Sequence, residues 1–303
     1  MRLETTTSKK VAERLSPMDL PLISIVLPTY NRAEYLDACL INLFEQDYPN
    51  FEIVVVDDGS TDKTETVVAK YLKNQKVRYF KYSPNRGACF ARNYGVSRAR
   101  GSLIAFQDSD DFWNKNKLTR EYGFLAAEKA DLVFCGMERR DVETDEAFYY
   151  PMDLDPDSDI TLSLLLKANC ISTQTILITT SAARRISFDA SFKRYQDWDY
   201  ALQAVKAGLC IRYLAESLVL SVVQKNSISA TVGSAEAYEH LFEKYLEEYN
   251  SNPASCAYLF QSIARAYRGI SSEKTKKYLI GSLRIKFSLK VVLKLIASVI
   301  GIY

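Results

Sequence analysis

The stretch Leu103-Ile104-Ala105-Phe106-Gln107-Asp108-Ser109-Asp110-Asp111-Phe112-Trp113 joins a short apolar run to three closely spaced carboxylates. Residues 103–106 predict a buried strand, and the acids begin where that strand ends. The carboxylates repel one another, and a hard cation such as Mg²⁺ or Mn²⁺, which prefers oxygen ligands, would relieve that repulsion. The stretch therefore predicts either a metal site for a phosphorylated ligand or a solvated acidic turn, for which Asp and Ser are common residues.

The residues before this stretch alternate between strand and helix patterns. Three apolar runs predict further strands, at 22–27, 51–56 and 77–82. Helical spacing or helix-start residues follow each run, at 34–46, 60–72 and 88–98. Strands that alternate with helices over short connections favour right-handed βαβ units. We therefore predict an α/β fold with a mostly parallel, Rossmann-like sheet flanked by helices.

Polar residues cluster after the carboxyl ends of these predicted strands. They are Thr29, Asn31, Asp57, Asp58, Arg86, Asp108, Asp110 and Asp111. Ligands of open parallel sheets bind beyond the carboxyl ends of the strands, so this clustering favours a binding site over a chance acidic turn. The first strand-to-helix turn has neither Gly-x-Gly-x-x-Gly nor a lysine-bearing phosphate loop, which argues against a dinucleotide dehydrogenase or a P-loop ATPase.

The second half of the chain is less regular. Helix is predicted at 117–130, strand at 132–135 and 175–178, and a mobile acidic loop at 141–159. Asp197 precedes a helical run that Gly208 ends. A helix start favours an ionised carboxylate. Asp197 is either a functional carboxylate or only a helix cap, with Trp198 as a core anchor.

Composition limits the possible chemistry. The chain has 303 residues, 48% hydrophobic and 25% charged, which is typical of globular proteins. Its single histidine, His240, excludes a multi-histidine metal site and favours a carboxylate as general base. The six cysteines are dispersed without zinc or redox spacing, as expected of reduced thiols in a cytosolic protein.

The two ends of the chain differ in charge. Residues 1–20 are polar and predict a flexible arm. From about residue 234 the pattern is helical, and 271–303 hold seven basic residues and one acid. The spacing of Lys286, Lys290 and Lys294 predicts one basic helical face. The uninterrupted apolar runs of this tail are too short to span a bilayer. The tail fits either an anionic membrane surface or packing on the main domain, and does not suggest nucleic acid.

Four motifs in order resemble those of a known family. They are Ser24-Ile25-Val26-Leu27-Pro28-Thr29-Tyr30-Asn31-Arg32, Val55-Val56-Asp57-Asp58-Gly59-Ser60-Thr61-Asp62, Asn85-Arg86-Gly87 with Ala91-Arg92-Asn93, and Asp108-Ser109-Asp110-Asp111. They closely resemble the nucleotide-sugar-binding half of family 2 glycosyltransferases, which have the GT-A fold. Gln196-Asp197-Trp198-Asp199 is similar to the acceptor-side motif, although the family usually has Glu in place of Gln196.

The resemblance implies a domain layout. After the arm 1–20, residues 21–225 form the GT-A domain, with a nucleotide-sugar-binding half at 21–118 and an acceptor-binding half at 119–225. Residues 226–303 form a helical C-terminal region with a basic amphipathic tail, 274–303.

The resemblance also implies residue roles. The donor-binding residues are Pro28, Thr29, Asn31, Asp57, Asp58, Arg86, Asp108, Ser109 and Asp110. Pro28 and Thr29 line the base pocket, and Asp58 accepts a hydrogen bond from uracil on a turn supported by Asp57. Arg86 contacts the base or the diphosphate. Asp110, with Asp108 on the sugar side, binds Mn²⁺ or Mg²⁺. Asp111 and Arg92 support these ligands from behind, and Asp197 is the catalytic base.

The expected function is metal-dependent, inverting transfer from a nucleotide sugar, with UDP as the expected nucleotide, to a glycan or lipid-linked acceptor. We expect a peripheral enzyme of cell-surface polysaccharide synthesis on the cytoplasmic face of the plasma membrane. The alternative is a non-catalytic subunit that binds a nucleotide sugar. A sugar-phosphate nucleotidyltransferase is disfavoured because Pro28-Thr29-Tyr30-Asn31 offers neither its glycine-rich loop nor its lysine.

Overall fold

A computed structural model of the chain describes residues 20–141, 144–223 and 233–299. Nearly all of the predicted N-terminal arm, and the last four residues of the predicted basic tail, lie outside the described residues. The described residues form two compact units. The first comprises 20–141, 144–160, 170–190 and 203–223, and the second comprises 161–169, 191–202 and 233–299.

The first unit contains a nine-stranded sheet. Its strands are β1 (Ile23–Thr29), β2 (Phe51–Asp57), β3 (Val77–Lys81), β4 (Leu103–Phe106), β5 (Asp111–Trp113), β6 (Leu132–Asp141), β7 (Ala147–Tyr150), β8 (Ile176–Thr179) and β9 (Ile211–Val223). The order is β3-β2-β1-β4-β8-β6-β9-β5, and β7 pairs with β6.

The helices of the described chain follow in sequence order. They are α1 (Ala33–Phe44), α2 (Thr64–Ala69), α3 (Ala88–Arg98), α4 (Lys117–Glu128), α5 (Leu162–Lys167), α6 (Thr180–Ala183), α7 (Gln196–Lys206), α8 (Ser234–Lys244), α9 (Leu246–Ser251), α10 (Pro253–Ala266), α11 (Ser272–Ile285) and α12 (Leu289–Val299). A short 3₁₀ turn at Thr173–Thr175 precedes β8. None of these helices combines the length and apolar character that crossing a bilayer requires.

The strand arrangement confirms the predicted α/β fold. Neighbours among β3, β2, β1 and β4 pair in parallel, as the strand–helix alternation predicts. β8 pairs antiparallel with β4 and β6, and β5 pairs antiparallel with β9. β6 and β9 run parallel to each other. Because β2 and β4 are buried along their whole length, and β1 at every residue except the half-buried Pro28, their sequences are nearly continuous apolar runs.

Helix α3 packs closely against the parallel strands. A Cβ on Gly95 would lie 2.4 Å from a methyl carbon of Val26, so only glycine allows this approach. Proline has no backbone N–H to donate. Pro28 fits within β1 because the pairing with β4 ends at Val26, so no hydrogen bond to β4 is required at position 28. This packing fixes where the carboxyl ends of β1 and β2 lie.

The second unit is helical. Its elements in the described chain are α5, the start of α7, and α8 to α12. Tyr245 and Tyr249, both buried, hydrogen bond to the backbone or side chains of Asp199 and Leu166. The predicted helical character of the C-terminal region is therefore present in the described residues.

Three details differ from the sequence-based expectations. The predicted loop at 141–159 contains strand β7, whose aromatic residues pair with the extended end of β6. Residues 111–113 form the short strand β5. Lys286, Lys290 and Lys294 do not share one helix, because Lys286 is extended (φ −146°, ψ 117°) between α11 and α12.

Candidate nucleotide-sugar site

The carboxylate of Asp57, at the end of β2, is fully buried and holds its own turn. It accepts hydrogen bonds from the Ser60 amide at 2.7 Å and from the Tyr79 hydroxyl at 2.5 Å. Lys81 lies 4.0 Å away. Asp57 is 0% exposed, so its carboxylate has no surface for a ligand, and its contacts hold the turn.

Asp58 joins this turn to the loop after β3. Its two carboxylate oxygens accept hydrogen bonds from the amides of Arg86 and Gly87, each at 2.7 Å. Gly87 has φ +87°, a conformation that favours glycine, so both amides can point to one carboxylate. The Arg86 guanidinium lies over the Phe90 ring, 3.4 Å from its centroid. Asp58 therefore positions Arg86 through the backbone.

The turn after β1 is tied to the turn after β2. Asn31 has φ +50°; its amide donates to the Ser60 hydroxyl at 2.9 Å, and its Oδ1 accepts from the Thr61 amide at 2.9 Å. Asp62 accepts from the Ala33 amide at 3.1 Å. Asn31 thus acts in the described structure as a link between two loops.

Thr29 ends β1 with a hydroxyl that has no protein partner. Its Oγ1 is buried and forms no hydrogen bond within the described residues. An unsatisfied buried hydroxyl costs free energy, so a polar ligand atom at this point would be stabilising. Pro28 precedes it in the same strand.

A second group of side chains follows β4. Arg92, on α3, donates to Asp108 Oδ1 at 2.6 Å, and only 8% of its side chain is exposed. The Arg92 guanidinium also lies 5.3 Å from the centre of the Phe188 ring. Arg92 therefore fixes the Asp108 carboxylate.

Asp110 and Asp111 occupy different surroundings. Asp110 is exposed, Asp111 is buried at the start of β5, and Ser109, between Asp108 and Asp110, is also buried. Although part of Asp110 is open to solvent, the protein atoms around its carboxyl, and then the Asp108 charge, raise its pKa, while the charges of Arg32 and Arg92 oppose that rise. Burial, then Asp108 and Asp110, raise the pKa of Asp111 well above its usual range.

Two residues lie near Asp111 that no sequence pattern connects with it. Ser221 lies opposite Asp111 in the β5–β9 pair and hydrogen bonds to it, and Arg139 lies opposite Ser221 in the β6–β9 pair. The Arg139 charge partly offsets the raised pKa of Asp111. Only the pairing of β5, β9 and β6 brings these residues to one level of the sheet. Ser60, Asp62 and Asp57, by contrast, belong to one continuous motif.

The acidic residues fit a hard divalent cation. Within the described residues, no three His, Cys, Asp or Glu side chains converge as a complete metal site. Mg²⁺ needs only one or two protein carboxylates when substrate phosphates and water complete its shell. Burial, and after it the neighbouring carboxylate charges, raise the pKa values of Asp110 and Asp111, and a cation would offset the part that comes from those charges. The donor set thus suits a metal that arrives with a diphosphate.

Asp197 belongs to the second unit and lies in the first turn of α7. Its Oδ1 accepts a hydrogen bond from the Trp198 amide at 2.8 Å. The Trp198 indole donates to the Leu165 carbonyl at 2.6 Å and is 3% exposed. Asp199 is fully buried and accepts from the Tyr245 hydroxyl at 2.7 Å and from Lys244 at 2.6 Å. Trp198 and Asp199 therefore anchor the turn that carries Asp197.

Residues 24–189, more than half of the chain, match the model of glycosyl transferase family 2. The chain belongs to this family. A relative in Bacillus subtilis, the putative teichuronic acid biosynthesis glycosyltransferase TuaG, is 29% identical over 69% of this chain and 82% of its own length.

Two solved structures share the fold of this family 2 member. The S. aureus protein TarS, residues 1–349 in complex with UDP-GlcNAc, has a TM-score of 0.64 at 22% identity, covering 91% of this chain and 79% of that one. The mannosyltransferase PcManGT from Pyrobaculum calidifontis, in complex with GDP-Man and Mn²⁺, has a TM-score of 0.63 at 19% identity, covering 97% and 86%. The predicted family and GT-A fold are confirmed.

Proposed function

We propose that this family 2 glycosyltransferase moves a sugar from a UDP-sugar to a hydroxyl group of a glycan or lipid-linked acceptor, with inversion at the anomeric carbon. The observation that carries the proposal is the cluster of polar side chains at the carboxyl ends of β1, β2 and β4. Thr29 is the last residue of β1, Asp58 directly follows β2, and Asp110 lies in the segment after β4. The polysaccharide role is supported by the name of TuaG, a putative teichuronic acid biosynthesis enzyme.

The donor side would be held by residues of the first unit. The unsatisfied Thr29 hydroxyl and Pro28 suit the nucleotide base, and Asp58 with Arg86 forms the wall of that pocket. UDP is proposed because an aspartate carboxylate can accept from the uracil imide, and because TarS was solved with UDP-GlcNAc. PcManGT was solved with GDP-Man, and a panel of UDP- and GDP-sugars distinguishes the two bases.

The leaving group needs charge stabilisation. Asp110 and Asp108 would hold Mn²⁺ or Mg²⁺, which when bound neutralises the negative charge that develops on the nucleoside diphosphate. Arg92 keeps Asp108 in place through its 2.6 Å hydrogen bond. Asp111 follows Asp110 directly and is buried, so it has no surface for a direct contact with the donor.

The acceptor hydroxyl needs a base. In the proposed step its oxygen forms a bond to the anomeric carbon, the bond from that carbon to the diphosphate oxygen breaks, and Asp197 takes the hydroxyl proton. One displacement of this kind inverts the anomeric configuration. The helix start at α7 favours the ionised form of Asp197 that this role requires.

A lipid-linked acceptor would place the reaction at a membrane. We propose that the anionic surface of the cytoplasmic leaflet is a partner through 274–303, and that the enzyme is peripheral on the cytoplasmic face of the plasma membrane. The support is the excess of basic residues in that segment together with its apolar residues.

The test is transfer by the purified chain from a panel of UDP- and GDP-sugars, with Mn²⁺ or with a chelator. Asp110→Asn should lower activity about 100-fold or more, because a bound divalent cation contributes several kcal/mol. Asp197→Asn should lower it about 10²- to 10⁴-fold, the usual contribution of general base catalysis. NMR of the product would report the anomeric configuration.

Asp37→Asn is the matched control. Asp37 is a surface carboxylate of α1 paired with Lys70, so its loss should leave activity unchanged. Full activity of Asp110→Asn would contradict the proposal that Asp110 binds the metal. Full activity of Asp197→Asn would contradict the proposal that Asp197 is the base. Binding of UDP without turnover on any acceptor would support the non-catalytic alternative.

A further inference from the structure

Helix α12 exposes an unusual amount of apolar surface. Leu289, Leu293 and Ile296 are 66%, 59% and 52% exposed. Their spacing of four and then three residues places them on one face of the helix. Val291 is fully buried and Ser298 nearly so, which shows that the opposite face packs on protein. The exposed apolar face of α12, with Leu289, Leu293 and Ile296, is therefore a continuous stripe in solvent.

The charged residues of the segment that contains α12 are all basic. From Lys274 to the end of the sequence there are seven Lys and Arg residues and no Asp or Glu. Lys290 is exposed on α12, while Arg284 and Lys286 are exposed just before it. An anionic partner would complement this segment, whereas a second copy of the chain would present the same positive charge to it.

Lys290 and Lys294 are four residues apart on α12, and Arg265 is near enough for its charge to act on Lys294. Burial lowers the pKa of Lys294, and the like charges of Arg265 on α10 and of Lys290 lower it further. In the described part of the chain, none of the three forms an ion pair with a carboxylate. We call Arg265, Lys290 and Lys294 the cation cluster. Their mutual repulsion would be relieved by an anion.

We propose that α12 lies in the interface of an anionic membrane, with its apolar face among the acyl chains and the cation cluster on lipid phosphate groups. With 11 residues, α12 is about 17 Å long, far less than the roughly 30 Å of a bilayer core, so it lies on the membrane and does not cross it. The inference rests on the proposed function in one respect, namely that the membrane surface carries the acceptor. It specifies which part of the chain would bind that membrane: the apolar face of α12 and the cation cluster.

The test is flotation of the full chain with vesicles of phosphatidylcholine alone or with added phosphatidylglycerol. The chain should float with the anionic vesicles, and less so at high salt. The triple variant Leu289→Ser, Leu293→Ser, Ile296→Ser should weaken binding at least about 100-fold, because three apolar side chains no longer leave water. The double variant Lys290→Gln, Lys294→Gln should weaken it about 25-fold, roughly fivefold for each charge.

Matched controls come from the first unit. Ile41→Ser removes an aliphatic side chain of α1 that is 51% exposed, and Lys73→Gln removes an exposed charge. Both should float like the wild type, and thermal melting should show that every variant is folded. No flotation of the wild type with anionic vesicles, or unchanged flotation of the triple variant, would overturn the proposal.

Two further measurements distinguish the alternatives. Light scattering without lipid would detect a dimer, and a dimer that the triple variant abolishes would assign the apolar face to self-association and overturn the membrane proposal. Flotation needs neither donor nor acceptor, so Asp110→Asn should float normally even though the proposed function predicts its inactivity. Donor hydrolysis in solution by the triple variant should equal that of the wild type, which separates failure of membrane binding from failure of catalysis.

Discussion

At the scale of single residues, the ion pair between Lys117 and Glu121 is the most deeply buried in the described chain. Both side chains are fully buried, with 2.7 Å between Lys117 Nζ and Glu121 Oε2. Lys117 also lies 4.1 Å from the centroid of the Trp113 ring. Burial raises the pKa of Glu121, and the Lys117 charge opposes that rise. Each charge is tolerated because the other is present.

We predict that Lys117→Met lowers the free energy of unfolding by about 3 to 5 kcal/mol, because it strands the Glu121 carboxylate in the core. The double variant Lys117→Met, Glu121→Leu should recover most of that loss, since apolar groups of similar volume replace both charges. Urea unfolding of the wild type and the two variants measures this. A cost below about 1 kcal/mol for the single variant would contradict the prediction.

At the scale of elements, Glu239 on α8 connects three helices. Its carboxylate accepts hydrogen bonds from Tyr267 at 2.5 Å and Tyr278 at 2.7 Å, and Lys274 lies 3.2 Å away. Burial alone would raise the pKa of Glu239, but these three donors outweigh burial and hold its pKa below the usual value. Helix α11 is thus attached to α8 through the ionised carboxylate.

We predict that Glu239→Gln destabilises the protein by about 1 to 3 kcal/mol at pH 7, because hydrogen bonds to a charged acceptor are lost. A carboxyl group with a lowered pKa in the folded state stabilises above its unfolded pKa, and loses that effect as the pH falls through the folded value. The difference between wild type and Glu239→Gln should therefore shrink below about pH 4.

Urea unfolding at pH 7, 5 and 3.5 measures this dependence. Glu243→Gln, on the same helix but exposed, is the control and should change stability little at any of these pH values. A difference between Glu239→Gln and the wild type that stays constant down to pH 3.5 would show that the ionised form of Glu239 is not what stabilises the helices.

At the scale of the whole molecule, the residues proposed for donor binding and the proposed base belong to different compact units. Thr29, Asp58 and Asp110 belong to the first unit and Asp197 to the second. Ligand binding and proton transfer should therefore respond separately to substitution.

We predict that UDP with Mn²⁺, at about 100 times the dissociation constant, stabilises the wild type by about 2.7 kcal/mol and raises the melting temperature by about 5 to 10 °C. Asp197→Asn should retain this shift, and Asp110→Asn should lose its Mn²⁺-dependent part. Thermal melting of the three proteins with UDP alone, Mn²⁺ alone and both measures this. Loss of the shift in Asp197→Asn would contradict the separation of roles.

Local sequence determined the nucleotide-side loops of this protein. The apolar runs predicted β1, β2 and β4 because buried parallel strands need nearly continuous apolar residues. The carboxylate at Asp57 and its partner Ser60 are three residues apart, so their hydrogen bond depends on one turn only. Segment 108–111, three carboxylates beyond a strand, indicated an acidic strand-end site for the same reason, since the grouping is contiguous in the chain.

Tertiary structure alone decided what surrounds those carboxylates. Asp110 is exposed and Asp111 buried because β5 pairs with β9, more than 100 residues later, and no local pattern marks that pairing. Ser221 and Arg139 reach Asp111 through the same strand pairing. The basic tail forms two helices, α11 and α12, with Lys286 between them. Which apolar residues of α12 are exposed therefore depends on how α12 packs against the rest of the protein. Short-range motifs could be predicted from sequence, whereas burial and cross-strand neighbours depend on contacts between distant segments.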